Sequence, residues 1–281
     1  MSLPAQFVPA AFSLSAMGIW GTSDFVGGVG ARRVNAFLFT TIVHVSGVLL
    51  MGATAVLIGA RFPDKPSILW ALAAGAIGGI ALAVFYRALA SGKMGLTAPV
   101  AAVLGAGIPT IVTSLTVGFP GNRQAAGFVL AIVGVWLISR TEEGSGRPEG
   151  LGWAILAGIG FAGFYLCINQ ARVSSAIWVA VISRSGALLV AGALALLGRK
   201  LATVPAPVIG LAILAGCLDT SGSVLFVRAT QAGRLDEAVV LSSLYPVVTV
   251  LLARAFLDEH FSRTKTLGML AALAAVPMIA G

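Results

Sequence analysis

The chain has 281 residues, 58% of them hydrophobic and only 10% charged, with a mean hydropathy of +0.99. A soluble domain carries roughly 25% charged residues because its surface faces water. This composition therefore excludes a water-soluble globule and gives most of the exterior to lipid. The net charge of +8 does not point to nucleic acid, because the basic residues stand singly or in pairs between apolar runs, as at Arg32-Arg33, Arg61…Lys65 and Arg199-Lys200. A phosphate-binding surface needs many cations on one face.

The first apolar run, 7–28, has no Lys or Arg before it and continues through Trp20 and Asp24. It reads as a membrane helix rather than a cleavable leader. Nine further runs approach the roughly 20 apolar residues that span a bilayer as a helix: 36–60, 67–90, 95–118, 124–140, 151–170, 175–198, 206–228, 236–257 and 264–281. The fifth and the last are short. The runs are continuous, where a membrane barrel would alternate over about ten residues, so the expected fold is all-α. Cys167 and Cys217 lie inside apolar runs without metal-ligand spacing or a disulfide framework. No cofactor and no metal are expected.

The longest clear polar connection, TEEGSGRPEG at 141–150, falls almost at the midpoint. A shift of 141 residues superposes Phe85 on Phe226, Arg87-Ala88 on Arg228-Ala229, and Gly92-Lys93 on Gly233-Arg234. The arginines followed by Gly-basic at equal spacing carry the inference of a repeat, with 1–140 and 151–281 as its two units. Five helices per unit is an odd number, so the second unit enters the membrane in the opposite sense. Many secondary transporters have such inverted repeats, with a central site exposed alternately to each side. With alternating helices, Arg32, Arg33, Lys93, Arg140, Arg147, Arg199, Lys200, Arg263 and Lys265 share one side. Arg61, Lys65, Arg123, Arg172 and Arg234 share the other. The positive-inside rule then puts the first set in the cytoplasm and both termini outside.

An ionised side chain near the bilayer centre costs roughly 2.5–3.5 kcal/mol on insertion scales, so it faces a partner or a wet cavity. Arg184 and Asp219 fall near the middles of the seventh and eighth helices. Their similar depth predicts a salt bridge or a shared hydrated cavity, with a purely structural pair as the other reading. Ser223 lies one turn beyond Asp219 on the same face. Trp20 and Asp24, four apart, have two readings: a cavity wall with a carboxylate at its edge, or a pair at headgroup depth. His44 reads either as a titrating group in proton coupling or as a structural histidine. Tyr86, Tyr165 and Tyr245 could line a cavity or pack the core. Arg87, Arg228 and Arg254, near helix ends, are expected to snorkel to the interface. Gly75-x-x-x-Gly79 and Gly105-x-Gly107-x-Pro109 read as close-contact and bending elements, with Pro246 a second bend.

The segments IWGTSDFVGG at Ile19–Gly28, FYRALASGKMGLTAPVAAVL at Phe85–Leu104 and LSSLYPVVTVLLARAFLDEHFS at Leu241–Ser262 resemble the drug/metabolite transporter superfamily, specifically its EamA-like members. The resemblance covers nearly the whole chain. It implies ten helices in two five-helix repeats around a central cavity, moving metabolites such as amino acids, nucleotide-type or drug-like compounds. Two positions depart from it: the acidic pair Asp258-Glu259 has Gly118 at the matching place in the first repeat, and Pro246 is matched by Gly105, with Pro109 one turn later. Family members commonly keep both termini cytoplasmic, against the charge count.

The expected function is secondary transport of a small solute, amino-acid-like or drug-like and exported, across a bacterial inner membrane. The partners are the solute, the bilayer and a candidate proton; the oligomeric state is open. No Walker A loop is present, which argues against ATP hydrolysis. A membrane scaffold would favour large polar loops, and an intramembrane enzyme would need a nucleophile elbow or a His-Glu-x-x-His motif. None of these is found, so the chain is not expected to be an enzyme.

Overall fold

The computed structural model describes residues 7–91, 94–139, 150–171, 175–198, 203–257 and 262–280. Lys93, Arg140, Arg147, Arg172, Arg199, Lys200, Asp258 and Glu259 fall outside them, as does most of the 141–150 connection. The described chain forms α1 (Val8–Ala31), α2 (Ala36–Leu57), α3 (Lys65–Ser91), α4 (Met94–Thr116), α5 (Asn122–Ser139), α6 (Leu151–Gln170), α7 (Ala176–Leu197), α8 (Ala206–Ala232), α9 (Leu235–Ser242), α10 (Tyr245–Leu257) and α11 (Arg263–Ala280). Among the described residues no strand occurs.

The helix ends follow local chemistry. Asn35 caps α2, its Oδ1 accepting from the amides of Phe37 at 3.1 Å and Leu38 at 3.4 Å. The turns after α2 and α4 use Gly59 and Gly118 at φ +61° and +111°, where a side chain would be strained.

The expected ninth helix, 236–257, is broken. Ser243 and Leu244 form a turn between α9 and α10, and Pro246 is the second residue of α10. A proline has no amide to donate, so the Ser242 carbonyl cannot receive its helical bond. The chain tightens there, with Leu244 N bonding to Leu241 O and Val247 N to Leu244 O. Pro109 behaves differently: α4 runs through it without interruption. The carbonyl that its ring crowds is that of residue i−4, which is Gly105, and glycine yields most easily.

Seven segments are long and apolar enough to cross a membrane: α2, α3, Thr97–Thr116, α6, α7, α8 and Leu235–Leu257. That is fewer than the ten expected from sequence, and Asn122–Leu137 is a shorter apolar helix. Large apolar side chains point outward along these helices, among them Leu49, Leu69, Ile111, Val129, Leu156 and Leu189. The interior is rich in alanine and glycine and holds buried Asp24, His44, Arg184 and Asp219. Apolar outside and polar within is the arrangement of a protein dissolved in lipid. The chain is an integral membrane protein.

Packing joins the two halves of the chain closely. α1 packs on α8 and α3 on α6; α2 packs on α8 and α3 on α7; α4 packs on α6, and α9 and α10 on α1. α5 lies against α11, and α2 against α7. At one end Arg234 ties the halves: its Nη2 donates to Gly118 O at 2.9 Å and to Asp236 Oδ2 at 2.8 Å. Asp236 holds the Arg234 guanidinium above its ordinary pKa, so this tie stays charged.

Candidate functional site

Six helices send side chains to one cavity between the halves. α1 supplies Trp20 and Asp24, α3 Gly78 and Leu82, α6 Phe161, Phe164 and Tyr165, α7 Arg184, α8 Asp219, and α10 Tyr245. The cavity holds about 40 Å³, which is space for roughly three waters. A drug-sized ligand needs about 300 Å³ or more. In this conformation the cavity is too small for such a ligand.

Arg184 is the hub. Its Nη2 lies 2.9 Å from Asp219 Oδ2, with side-chain exposures of 6% and 8%. The same nitrogen donates to Ser223 Oγ, and Ser223 Oγ donates in turn to the Asp219 carbonyl at 3.0 Å. The Asp219 Oδ2 contact is a charge contact without aligned hydrogen-bond geometry. The shared depth of Arg184 and Asp219 expected from sequence thus becomes a buried ion pair between α7 and α8.

α1 is held against α8 by Trp20 Nε1, which donates to the Asp219 carbonyl at 3.1 Å, and by Ser23 Oγ, which donates to the Ala215 carbonyl at 2.9 Å. Gly222 permits this approach, since a Cβ there would sit 2.6 Å from Trp20 Cδ1. Trp20 is therefore inside the protein, 7% exposed. Around it the rings of Tyr165 and Phe226 stand 6.1 and 5.5 Å away, centre to centre. Tyr245 meets Phe85 edge-on at 6.1 Å, and its hydroxyl has no hydrogen-bond partner.

Asp24 is also 7% exposed and lines the cavity. Neither a salt bridge nor a hydrogen bond reaches its carboxylate among the described residues; Arg184 is paired with Asp219 and Ser223 through Nη2, and its Nε has no hydrogen-bond partner among them. His44 is wholly buried on α2, with neither ring nitrogen partnered among the described residues, and lies within electrostatic reach of Arg184. Tyr86 lies one turn beyond Leu82 on α3, wholly buried, its ring packed over Gly27 and edge-on to Phe39 at 5.9 Å. Arg87 snorkels outward and stacks on Trp153, its guanidinium carbon 4.2 Å from the ring centre. Arg228 and Arg254 are exposed as well.

Gly75 and Gly79 press on α7, where a Cβ would meet the Ser183 carbonyl and Ala187. Gly105 faces Phe161 on α6, whereas Gly107 has open space around it. Phe161, Phe164, Gly78 and Leu82 were not singled out by sequence reasoning. The 141-residue offset contains three of these four: Phe161 follows Trp20, Asp219 follows Gly78 and Ser223 follows Leu82 by that interval, as Tyr165 follows Asp24.

Residues 148–281 match the model of the EamA-like transporter family, a branch of the drug/metabolite transporter superfamily. One solved crystal structure superposes with a TM-score of 0.75 over 96% of this chain and 95% of its own, at 16% identity. At that identity the likeness shows the fold alone. No curated protein matches the sequence. The second half of the chain is thus similar to the EamA-like transporter family.

Proposed function

We propose that this protein is a transporter of the drug/metabolite type that carries a small amino-acid-like or drug-like solute outward across a bacterial inner membrane, by alternating access between two inverted five-helix repeats. The observation that carries the reading is a small, aromatic-walled cavity at mid-depth containing a buried ion pair and a further carboxylate. A merely structural bundle has no use for three charges at that depth. In this reading α1–α5 form the first repeat and α6–α11 the second, α9 and α10 together counting as one broken helix. The packing supports it: exchanging each helix for its counterpart turns the α1–α8 contact into α3–α6, α2–α8 into α3–α7, and α4–α6 into the contact of α9 and α10 with α1. Related halves can exchange conformations, and that is how one site comes to face two sides.

The route to one side is also marked. A larger space of about 520 Å³, lined by Arg32, Asn35, Arg87 and Ser91 among others, opens where α1, α3 and α7 end. Along α3 the positions Gly78, Leu82, Tyr86 and Ala90 form one stripe, about 12 Å from Leu82 to Ala90. Its beginning lines the cavity and its end lines the outer space. Tyr86, packed over Gly27, stands between them and serves as the closure on that side. Breaks such as the one at Pro246 supply the bending that opening requires. A proton at Asp24 or His44 is the candidate coupling ion.

The test is flux in proteoliposomes, with solutes chosen by a growth-protection screen against toxic metabolite analogues. Counterflow of at least one protective solute is expected. A protein that binds such a solute yet gives flat flux would be a receptor or scaffold. Pro246→Ala is expected to let α9 and α10 join, slowing exchange severalfold while solute affinity stays within about threefold. Unchanged exchange rates in that variant would remove the break from the mechanism.

A further inference from the structure

We infer that the space of about 520 Å³ at the ends of α1, α3 and α7 is a second binding site, which takes the phosphate of an anionic phospholipid from the bilayer. The site is separate from the inner cavity and stands whether or not the protein is a carrier. Charge selects its ligand. Arg32, just after α1, and Arg87, near the end of α3, line the space, and no carboxylate of the described residues lines it with them. Neither arginine is in a salt bridge among those residues. The described acids stand elsewhere: Asp24 and Asp219 line the inner cavity, Asp64 precedes the opposite end of α3, and Asp236 and Glu237 begin α9 beside the tie to Gly118. Guanidinium forks match the oxygens of a phosphate. Asn35 Oδ1 is taken by the amides of Phe37 and Leu38, which leaves its NH2 to donate into the same space. Ser91 Oγ donates to the Arg87 carbonyl at 2.8 Å and keeps its lone pairs for a headgroup hydroxyl.

Depth and walls identify where the phosphate comes from. Arg87 lies with its guanidinium carbon 4.2 Å from the ring centre of Trp153, which is itself 38% exposed. Tryptophan and arginine together near helix ends mark the headgroup layer. α7 carries exposed Leu194, Leu196 and Leu197 up to Gly198, and Leu194 and Gly198 also line the space. Lipid chains therefore reach its rim. Phe37 and Leu194 give the space an apolar wall. A free phosphate ion would leave that wall bare, whereas the glycerol and first methylenes of a phospholipid cover it. Basic pockets between membrane helices hold anionic headgroups in this way. A zwitterionic phospholipid brings the same phosphate together with an ammonium group, which the two guanidinium groups repel.

Three probes separate these cases: dioctanoyl-phosphatidylglycerol, dioctanoyl-phosphatidylcholine and glycerol phosphate. Binding to the full chain in a nonionic detergent is read by calorimetry at low salt, where charge is least screened. The parent protein should bind phosphatidylglycerol at least about fivefold more tightly than either of the other two. Arg32→Gln and Arg87→Gln should each weaken that binding about fivefold, the share of one basic residue at an anionic lipid surface, and leave phosphatidylcholine binding within about twofold of the parent. Arg33→Gln is the control, because Arg33 is exposed beside Arg32 but does not line the space. It should keep the parental affinity. Thermal midpoints without lipid should match the parent in all three variants. If Arg87→Gln melts early through loss of its stacking on Trp153, Arg32→Gln against Arg33→Gln decides alone. An equal loss in Arg33→Gln would reduce the site to diffuse surface attraction and overturn the inference. Equal binding of phosphatidylcholine, glycerol phosphate binding as tight as the lipid's, or no phosphatidylglycerol binding would overturn it as well.

Discussion

Arg184→Gln and Asp219→Asn, made singly, should each destabilise the protein by about 3–5 kcal/mol and abolish flux, because each leaves one charge buried without its partner. The two side chains are 6% and 8% exposed, so water cannot take over from the lost group. Loss of Arg184 also frees Ser223 Oγ, which then keeps only its bond to the Asp219 carbonyl. The double variant separates stability from transport. With both charges gone the desolvation penalty disappears, and a buried pair replaced as a unit is often neutral for stability. Thermal midpoints in detergent should therefore recover in the double variant towards the parent, while flux in proteoliposomes stays at background. Recovery of flux together with stability would make the pair a structural strut. Single variants that melt and transport like the parent would remove it from the site altogether.

The helices were legible because hydropathy in a membrane protein is set by solvent and not by partners. α6 starts and stops where the apolar run does, and α2, α3 and α7 lie within three residues of their expected ends. α1 and α8 run on to Ala31 and Ala232, past the expected ends of their runs at 28 and 228, since the helical backbone must satisfy its own hydrogen bonds into the interface. The break before Pro246 was visible as a proline but not as a turn. Whether a proline bends or interrupts a helix depends on what its neighbours can accept, as the unbroken passage through Pro109 demonstrates.

The site was legible only in its charges. Arg184 and Asp219 stood out because mid-membrane charge is rare, and equal depth was enough to bring them together. Asp24 and Trp20 were ambiguous in sequence because the spacing to Arg32 gives depth without direction. Their inward aim depends on α8, whose carbonyls at Ala215 and Asp219 receive Ser23 and Trp20. Phe161 and Phe164 look like any other phenylalanines in an apolar run. Only the contact between halves, α3 on α6 and α1 on α8, turns them into a wall.

The neighbouring contacts between the halves, α3 on α7 and α8 on α2, are made by glycines, and their replacement gives the other large expected effect. A Cβ at Gly75 would sit 1.8 Å from the Ser183 carbonyl oxygen of α7, and one at Gly216 would sit 2.1 Å from the Val43 carbonyl oxygen of α2. In both cases the obstacle is backbone, which cannot swing aside as a side chain end does. Gly75 and Gly216 are 141 residues apart and press on the second helix of the opposite half, so the two positions do the same work twice. Overpacking a well-filled interior costs about 1–3 kcal/mol where side chains can shift, and more where they cannot. Gly75→Val and Gly216→Val should therefore each lose more than about 3 kcal/mol, against a total stability of roughly 5–15 kcal/mol. Gly107→Val supplies the comparison, since nothing lies within 4 Å of its would-be Cβ. Monodispersity and thermal midpoint in detergent read all three. Gly107→Val should match the parent, and the other two should aggregate or melt far below it. If Gly75→Val instead melts with the parent, α3 and α7 do not approach this closely, and the cavity that depends on their spacing would have different walls.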